Sequence, residues 1–486
     1  MIYDYIIIGG GIAGVYCAYQ LKKRFPERTI LLLEKSGTLG GRVDTFQDRY
    51  MTVEAGAGRF SDAHSILLGL IDELKLKSKI ARTKGAPVFA PSDGTGHFQN
   101  SVFDSPGSYK HALVNSAFDM ALGKTIPNSG MIIEIVLASR IESPDTLRNM
   151  TFLQFIKKVV GPKGAEYIKQ TFGYYSELII MNAYDAVELM IQLGPQNNFY
   201  VLSGGLTQIV DRMAAKIKKT GSSGSSRSSR SSHSDRILLN REVLKVHETL
   251  GSNGQTPSTS STEFSRSPAP NGSGSLQSVF SVECSIANSS IQPTRSITYV
   301  GKTCICAVPK QVLEKMQIFK PISSMFKHIH CGSLCRIYSK FDTSSGEVWF
   351  KNMQSFTTNN HLRIVIPYNE KEGIIMISYS DNMFADFWNK LESSGGIGAV
   401  NRELARLMKL STGIDIPPPI KTHVFYWKCG VGYWGVGANS GEISKRIIHP
   451  FPDKSLFICG EHYSESGQQW MEGALETSDR VLAQIS

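Results

Sequence analysis

Three glycines and an acid carry the first recognisable chemistry along this chain. Gly9-x-Gly11-x-x-Gly14 lies between a short β-branched run, Tyr5–Ile8, and a segment of helical character, Val15–Arg24. Gly9 permits a tight turn, Gly11 lets the backbone approach a pyrophosphate, and Gly14 lets helix and strand pack closely. Ile12 and Ala13 fall between the last two glycines, where a helix N-terminus offers unpaired N–H groups and a positive dipole to phosphates. A second apolar run, Thr29–Glu34, ends in an acid and is followed by Lys35. The Glu34 carboxylate stands at the spacing that meets the adenosine ribose hydroxyls, and it would repel a 2′-phosphate. The expected ligand is a dinucleotide other than NADP.

The elements that must position these residues read as strand, turn, helix, strand, the opening of a doubly wound sheet. Apolar residues Ile66, Leu67, Leu70, Ile71, Leu74 and Leu76 predict an amphipathic helix over 63–76. From 86 to 202 the pattern changes to mixed helical segments such as Phe152–Val160 and aromatic pieces such as Phe172–Tyr175. Gly204-Gly205-Leu206 then precedes a helix, Thr207–Lys218. Ile237–His247 reads as one strand, and Ser278–Cys284, Ser296–Tyr299 and Cys304–Val308 as strands of a meander. The stretch from 311 to about 430 reads as irregular and aromatic. Ser455–Cys459 is a last apolar strand before a helix, Gly473–Ile485. The fold class is α/β (α+β overall), a Rossmann-type nucleotide domain interleaved with a mixed α+β substrate domain. The expected division assigns 1–85, 203–310 and 440–486 to the nucleotide domain, and 86–202 and 311–439 to the substrate domain.

With 486 residues, 41% of them hydrophobic, the chain exceeds what one core holds, so at least two domains are expected. The net charge of +10 is spread without a Lys/Arg block, which fits a solvated basic surface better than a nucleic-acid partner. Gly221–Ser234 and Gly251–Ser275 are Ser-rich and too polar to bury a core, so they are expected as solvated inserts near 220–236 and 250–276. Arg227 and Arg230 precede serines, which leaves phosphorylation open beside an inert loop. Eight cysteines are too few for a disulfide framework in a chain this long. Cys331 and Cys335 lack evident His or Cys partners, so no metal site is expected and all the cysteines read as buried free thiols. Neither a secretory signal nor a spanning apolar run is visible, which predicts a soluble, intracellular, cytoplasmic protein.

FAD and NAD share the glycine fingerprint, and further blocks decide between them. After Glu34 come Leu39-Gly40-Gly41-Arg42 and Glu54-Ala55-Gly56-Ala57-Gly58-Arg59-Phe60; later come Ser203-Gly204-Gly205-Leu206, Arg241-Glu242-Val243, Phe457-Ile458-Cys459-Gly460-Glu461-His462 and Trp470-Met471-Glu472-Gly473-Ala474. In this order they resemble the flavin-containing amine oxidase superfamily, which includes monoamine, polyamine and L-amino-acid oxidases. The resemblance implies FAD. Gly41 and Arg42 would pass along its diphosphate, and Ala57, Gly58 and Arg59 would lie near the isoalloxazine. Val243 would contact adenine, Gly460 and Glu461 the ribityl chain, and Trp470, Met471 and Ala474 the flavin's pyrimidine end. Gly432 stands where monoamine oxidases carry the tethering cysteine, so FAD would be non-covalent.

The same resemblance assigns the chemistry. Tyr433 and Trp470 would flank the amine as an aromatic cage, unless they only pack the core. Arg59 matches the position of a carboxylate-binding arginine in L-amino-acid oxidases, or it binds a flavin phosphate or a neighbouring acid instead. Arg336 replaces the family lysine near flavin N5; it cannot act as a base, though its charge can stabilise reduced flavin. The implied reaction is hydride transfer from a primary amine or amino acid to FAD, giving an imine, then a carbonyl product and ammonia. Molecular oxygen, yielding peroxide, or another acceptor would complete the cycle. Desaturation of a larger apolar substrate and a flavin-holding protein without turnover remain the alternatives.

Overall fold

The computed structural model describes residues 1–83, 88–89, 130–192, 198–220, 235–251, 277–286 and 296–485. Among these, the N-terminal strand Ile2–Ile8 pairs in parallel with Ile30–Leu33 on one side and Ser296–Cys306 on the other. Leu456–Ile458 adds in parallel to Ser296–Cys306, and Arg236–Leu238 to Ile30–Leu33. A meander of Arg241–Gly251, Gln277–Ile286 and Ser296–Cys306 completes a seven-stranded sheet. The apolar runs of the central strands suit burial on both faces. Ile7, Leu32 and Ile305 point into one core with the helices Ile12–Arg24, Thr207–Thr220 and Met471–Leu482. Their neighbours Ile6, Ile8, Leu31, Leu33, Cys304 and Cys306 fill the core on the opposite face.

The expected strand Ile237–His247 is two strands. Asn240 takes a left-handed φ of 54° and breaks it, so Arg236–Leu238 joins the parallel edge while Arg241–Gly251 begins the meander. Conversely, Ser296–Tyr299 and Cys304–Val308 belong to one strand, Ser296–Cys306, because Gly301 packs its backbone against Ile6 and lets the ladder run through. The two serine-rich stretches lie outside the described residues, apart from Gly251 at a strand end.

The stretch expected to be irregular is a second sheet. Its order is Lys421–Trp434, Ile329–Lys340, Ile374–Asp381, Ile364–Asn369, Phe356–Thr357 and Val88–Phe89. The helix Asn382–Thr412 packs on it and kinks at Gly396, where φ is 65°. A helical group, Phe152–Thr171, Tyr175–Ile179 and Ala183–Gln192, covers one end. Thr151 and Gln154 cap the first of these reciprocally, and it kinks at Gly161, just before Pro162.

Six cysteines are buried free thiols as expected: Cys17, Cys284, Cys304, Cys306, Cys335 and Cys459. Cys331 and Cys429 correct that expectation, because adjacent strands bring them together as a disulfide with Cα atoms 5.3 Å apart. Spacing along the chain could not show a pairing made across a sheet. No described helix is long and apolar enough to cross a membrane.

Candidate active site

The glycine turn is built as its residue types require. Gly9 has φ 104°, and a Cβ at Gly14 would collide with the Gly9 carbonyl. Gly11 begins the helix Ile12–Arg24 with neither a capping side chain nor an acid in the first turn. A Cβ at Gly11 would meet nothing closer than the Gly40 carbonyl at 3.8 Å, so space is left before these N–H groups. Gly40 N–H donates to the Gly10 carbonyl at 2.8 Å, which lays the Gly40-Gly41-Arg42 segment across the turn. Glu34 is buried and accepts from Gly10 N–H at 2.6 Å and from the Ser36 N–H and hydroxyl, whereas Lys35 is exposed. Arg241 N–H donates to the Glu34 carbonyl at 2.8 Å, which brings the strand holding Val243 beside it.

The opposite end of the chain meets the same place. Gly460, at φ 134°, turns the backbone so that Glu461 is buried with one oxygen 2.5 Å from Arg42 Nη1. That oxygen also accepts Gly432 N–H at 2.9 Å. The other carboxylate oxygen, Oε2, is buried with no hydrogen-bond partner. Next, the helix Met471–Leu482 starts at Trp470 without a side-chain cap, and Met471 and Ala474 are buried in the core behind the glycine turn.

Arg59 lies over Trp470, and Trp470 packs against the cluster that holds Tyr433. The Arg59 guanidinium lies 4.5 Å from the Phe199 ring centroid and 5.9 Å from that of Trp470. Arg59 Nη2 donates to the Tyr174 hydroxyl at 2.8 Å, and no carboxylate pairs with Arg59 among the described residues. Trp470 stacks on Phe199 and meets the His64 ring edge-on at 4.8 Å, while its indole N–H is buried without a partner. Burial lowers the His64 pKa to about 4, so this imidazole is neutral. Tyr433 is buried and packs in the same apolar cluster as Trp470. Arg336 is buried against Gly58, where a Cβ would collide with its guanidinium. It donates to the Glu54 carbonyl at 3.2 Å and lies 4.7 Å from the Tyr379 ring centroid. Burial opposes its charge, yet Tyr338, Tyr379 and Glu54 together hold its pKa above the usual arginine value.

A profile of flavin containing amine oxidoreductases matches residues 12–485. The chain belongs to that family. It is accordingly an FAD-dependent amine oxidoreductase with a Rossmann-type fold. An uncharacterised protein of Acanthamoeba polyphaga mimivirus is 23% identical over 99% of this chain and 93% of its own length. Aplysianin-A of Aplysia kurodai is 22% identical over 98% of this chain and 89% of its own. Among solved structures, putrescine oxidase bound to putrescine has the same fold, with a TM-score of 0.67 at 15% identity and coverage of 100% and 99%. The residues present fit FAD. The uncapped helix at Gly11, the open space before it and the unpartnered Glu461 Oε2 are what a diphosphate and a polyhydroxyl chain require.

Sequence reasoning missed Glu177 and the residues that hold it. Asp381 ends a strand, and its carboxylate accepts the N–H groups of Tyr175 at 3.0 Å and Ser176 at 2.6 Å, fixing the short helix that carries Glu177. Arg363 secures the preceding turn by donating to the Phe172 carbonyl at 2.7 Å. Glu177 is only half-buried, yet burial of its carboxyl and then repulsion from Asp381 raise its pKa to about 8, while Arg59 opposes the shift. The aromatic run Phe172–Tyr175 was the available signal, and the acid just beyond it was the informative residue. A separate cleft lined by Met181, Asp185, Glu188, Trp434 and Glu465 contains none of these groups. Its buried acid Asp185 is satisfied by Ser440 and Asn182.

Two outcomes follow from this geometry. Glu461→Gln should keep the fold but hold FAD about 10–100-fold more weakly, as read by flavin release on dilution; unchanged retention would contradict the role of this carboxylate. A folded pKa raised above the unfolded value means that Glu177 supports folding at low pH and loses that contribution as pH rises through about 8. Glu177→Gln should therefore flatten the fall in Tm between about pH 5 and pH 9, and parallel curves for both proteins would refute it.

Proposed function

We propose that this protein oxidises an α-amino acid, or a primary amine of similar size, at the carbon bearing nitrogen. The observation that carries this is Arg59: a guanidinium over the rings of Phe199 and Trp470, without an ion-pair partner among the described residues, and electrostatically felt by Glu177, which in turn acts on Tyr433. A planar fork in such surroundings suits a substrate carboxylate. Tyr174 accepts a hydrogen bond from Arg59, which leaves its own hydroxyl proton for a second acceptor. Burial pushes the Tyr174 pKa up to about 12, so that proton stays in place at neutral pH.

Tyr433 and Trp470 supply apolar faces that orient the amine and exclude water. Glu177, raised to about 8 by burial, can take the proton that a substrate ammonium must lose before oxidation once pH rises through that value. When bound, FAD supplies the two-electron acceptor for the substrate C–H bond. The imine so formed hydrolyses to a carbonyl product and ammonia. Arg336 remains cationic and acts as a fixed positive charge beside Gly58, in place of a titrating lysine. Oxygen, giving peroxide, or another acceptor then completes the cycle. The cationic Arg59 and Arg336 beside these aromatic rings disfavour a large apolar substrate.

Ammonia release, with peroxide where oxygen is the acceptor, should be measured on amino acids and on the amines left by their decarboxylation. Arg59→Met should lower kcat/KM for the amino acid about 10–100-fold and leave the matched amine nearly unchanged. Equal losses on both, or no turnover of either class by the unaltered protein, would overturn the assignment.

A further inference from the structure

Cys331, Cys429 and His462 form a cluster that the amine chemistry leaves unused. Both sulfurs are half-buried, in contrast to the six buried free thiols elsewhere. His462 is buried with Nε2 3.9 Å from Cys331 Sγ and 3.7 Å from Cys429 Sγ. Its Nδ1 accepts the Lys310 backbone N–H at 3.4 Å. Burial lowers the ring pKa to about 4, so the ring is neutral and carries one proton. An Nδ1 that accepts puts that proton on Nε2, which faces both sulfurs and, at 3.7 Å, the Glu461 carboxylate. An N–H aimed at sulfur stabilises a thiolate. A metal ion would need the Nε2 lone pair instead, and the Lys310 N–H opposes that tautomer.

We propose that Cys331–Cys429 is a redox-active pair at which small dithiols and peroxides act. In reduction, a thiolate of the external dithiol attacks one sulfur and the protein S–S bond breaks. The other sulfur leaves as a thiolate held by His462 Nε2–H. The second thiol of the reductant then closes its own disulfide and frees the first cysteine, so two electrons and two protons have passed to the pair. In oxidation, one thiolate attacks the peroxide O–O bond and forms a sulfenic acid, which the second thiol displaces. Two thiols and one hydrogen peroxide yield one disulfide and two waters. The pair adjoins the cage strand, since Cys331 is the register partner of Gly432, whose N–H donates to Glu461. A Cβ at Gly432 would stand 2.9 Å from the His462 ring, so no slack separates them. The redox state of the pair is thereby felt beside Tyr433.

The flavin-loaded protein should be equilibrated with mixtures of reduced and oxidised dithiothreitol, alkylated, and mapped by peptide mass spectrometry. Cys331 and Cys429 should become alkylated together while the other six cysteines stay protected, and added hydrogen peroxide should restore the bridge. Flavin fluorescence should shift with the same midpoint. His462→Gln should slow alkylation of the reduced pair at neutral pH about tenfold. Should that variant not fold, Cys429→Ser leaves Cys331 beside His462, and its thiol should titrate below free cysteine by ultraviolet absorbance. A bridge that yields only on unfolding, or a Cys331 thiol in that variant with the pKa of free cysteine, would overturn the proposal. So would protection of both reduced thiols by added zinc.

Discussion

The ion pair of Arg42 with Glu461 is the constraint around which the rest is arranged. Its partners lie 419 residues apart, and the acid's side chain is 8% exposed. A carboxylate removed this far from water needs donors, and Arg42 and Gly432 N–H supply two to a single oxygen. The other oxygen is thereby aimed and left unspent. Three separate parts of the chain are fixed relative to one another by this contact: the glycine-rich start, the strand bearing Tyr433, and the C-terminal segment that leads to Trp470. The glycine turn and the aromatic cluster are thus tied together by the same interaction.

Two further buried side chains hold the segment that carries Glu177. Asp381 holds the start of the helix carrying Glu177, and Arg363 gathers carbonyls from the turn before it. Both sit at or beside strands of the second sheet, so the sheet fixes the short helix that carries Glu177. This division suits a family in which the cofactor performs the electron transfer and the protein supplies placement and charge.

The glycine turn was legible in the sequence because its residues lie close together along the chain. Gly9, Gly11, Gly14 and Glu34 act through local backbone geometry, and a strand-turn-helix pattern can be read from nearest neighbours. The cavity was legible only in part, through Arg59, Tyr433 and Trp470, which sit in ordered blocks. Glu177 was hidden because its importance comes from Asp381 and Arg59, each far away along the chain. The cysteine pair was hidden for the same reason: 98 residues separate partners that a strand register makes neighbours. Ile237–His247 looked continuous because the left-handed turn at Asn240 costs an asparagine little, which leaves a weak signal in composition.

The most direct measurement is to add an α-amino acid to the flavin-loaded protein without oxygen and follow its visible absorbance. A cavity that joins Arg59 and the aromatic cage to the flavin should bleach the yellow oxidised band, faster for the amino acid than for its decarboxylated amine. A band that persists unchanged with amino acids and amines alike would contradict the convergence of these groups on one reacting carbon.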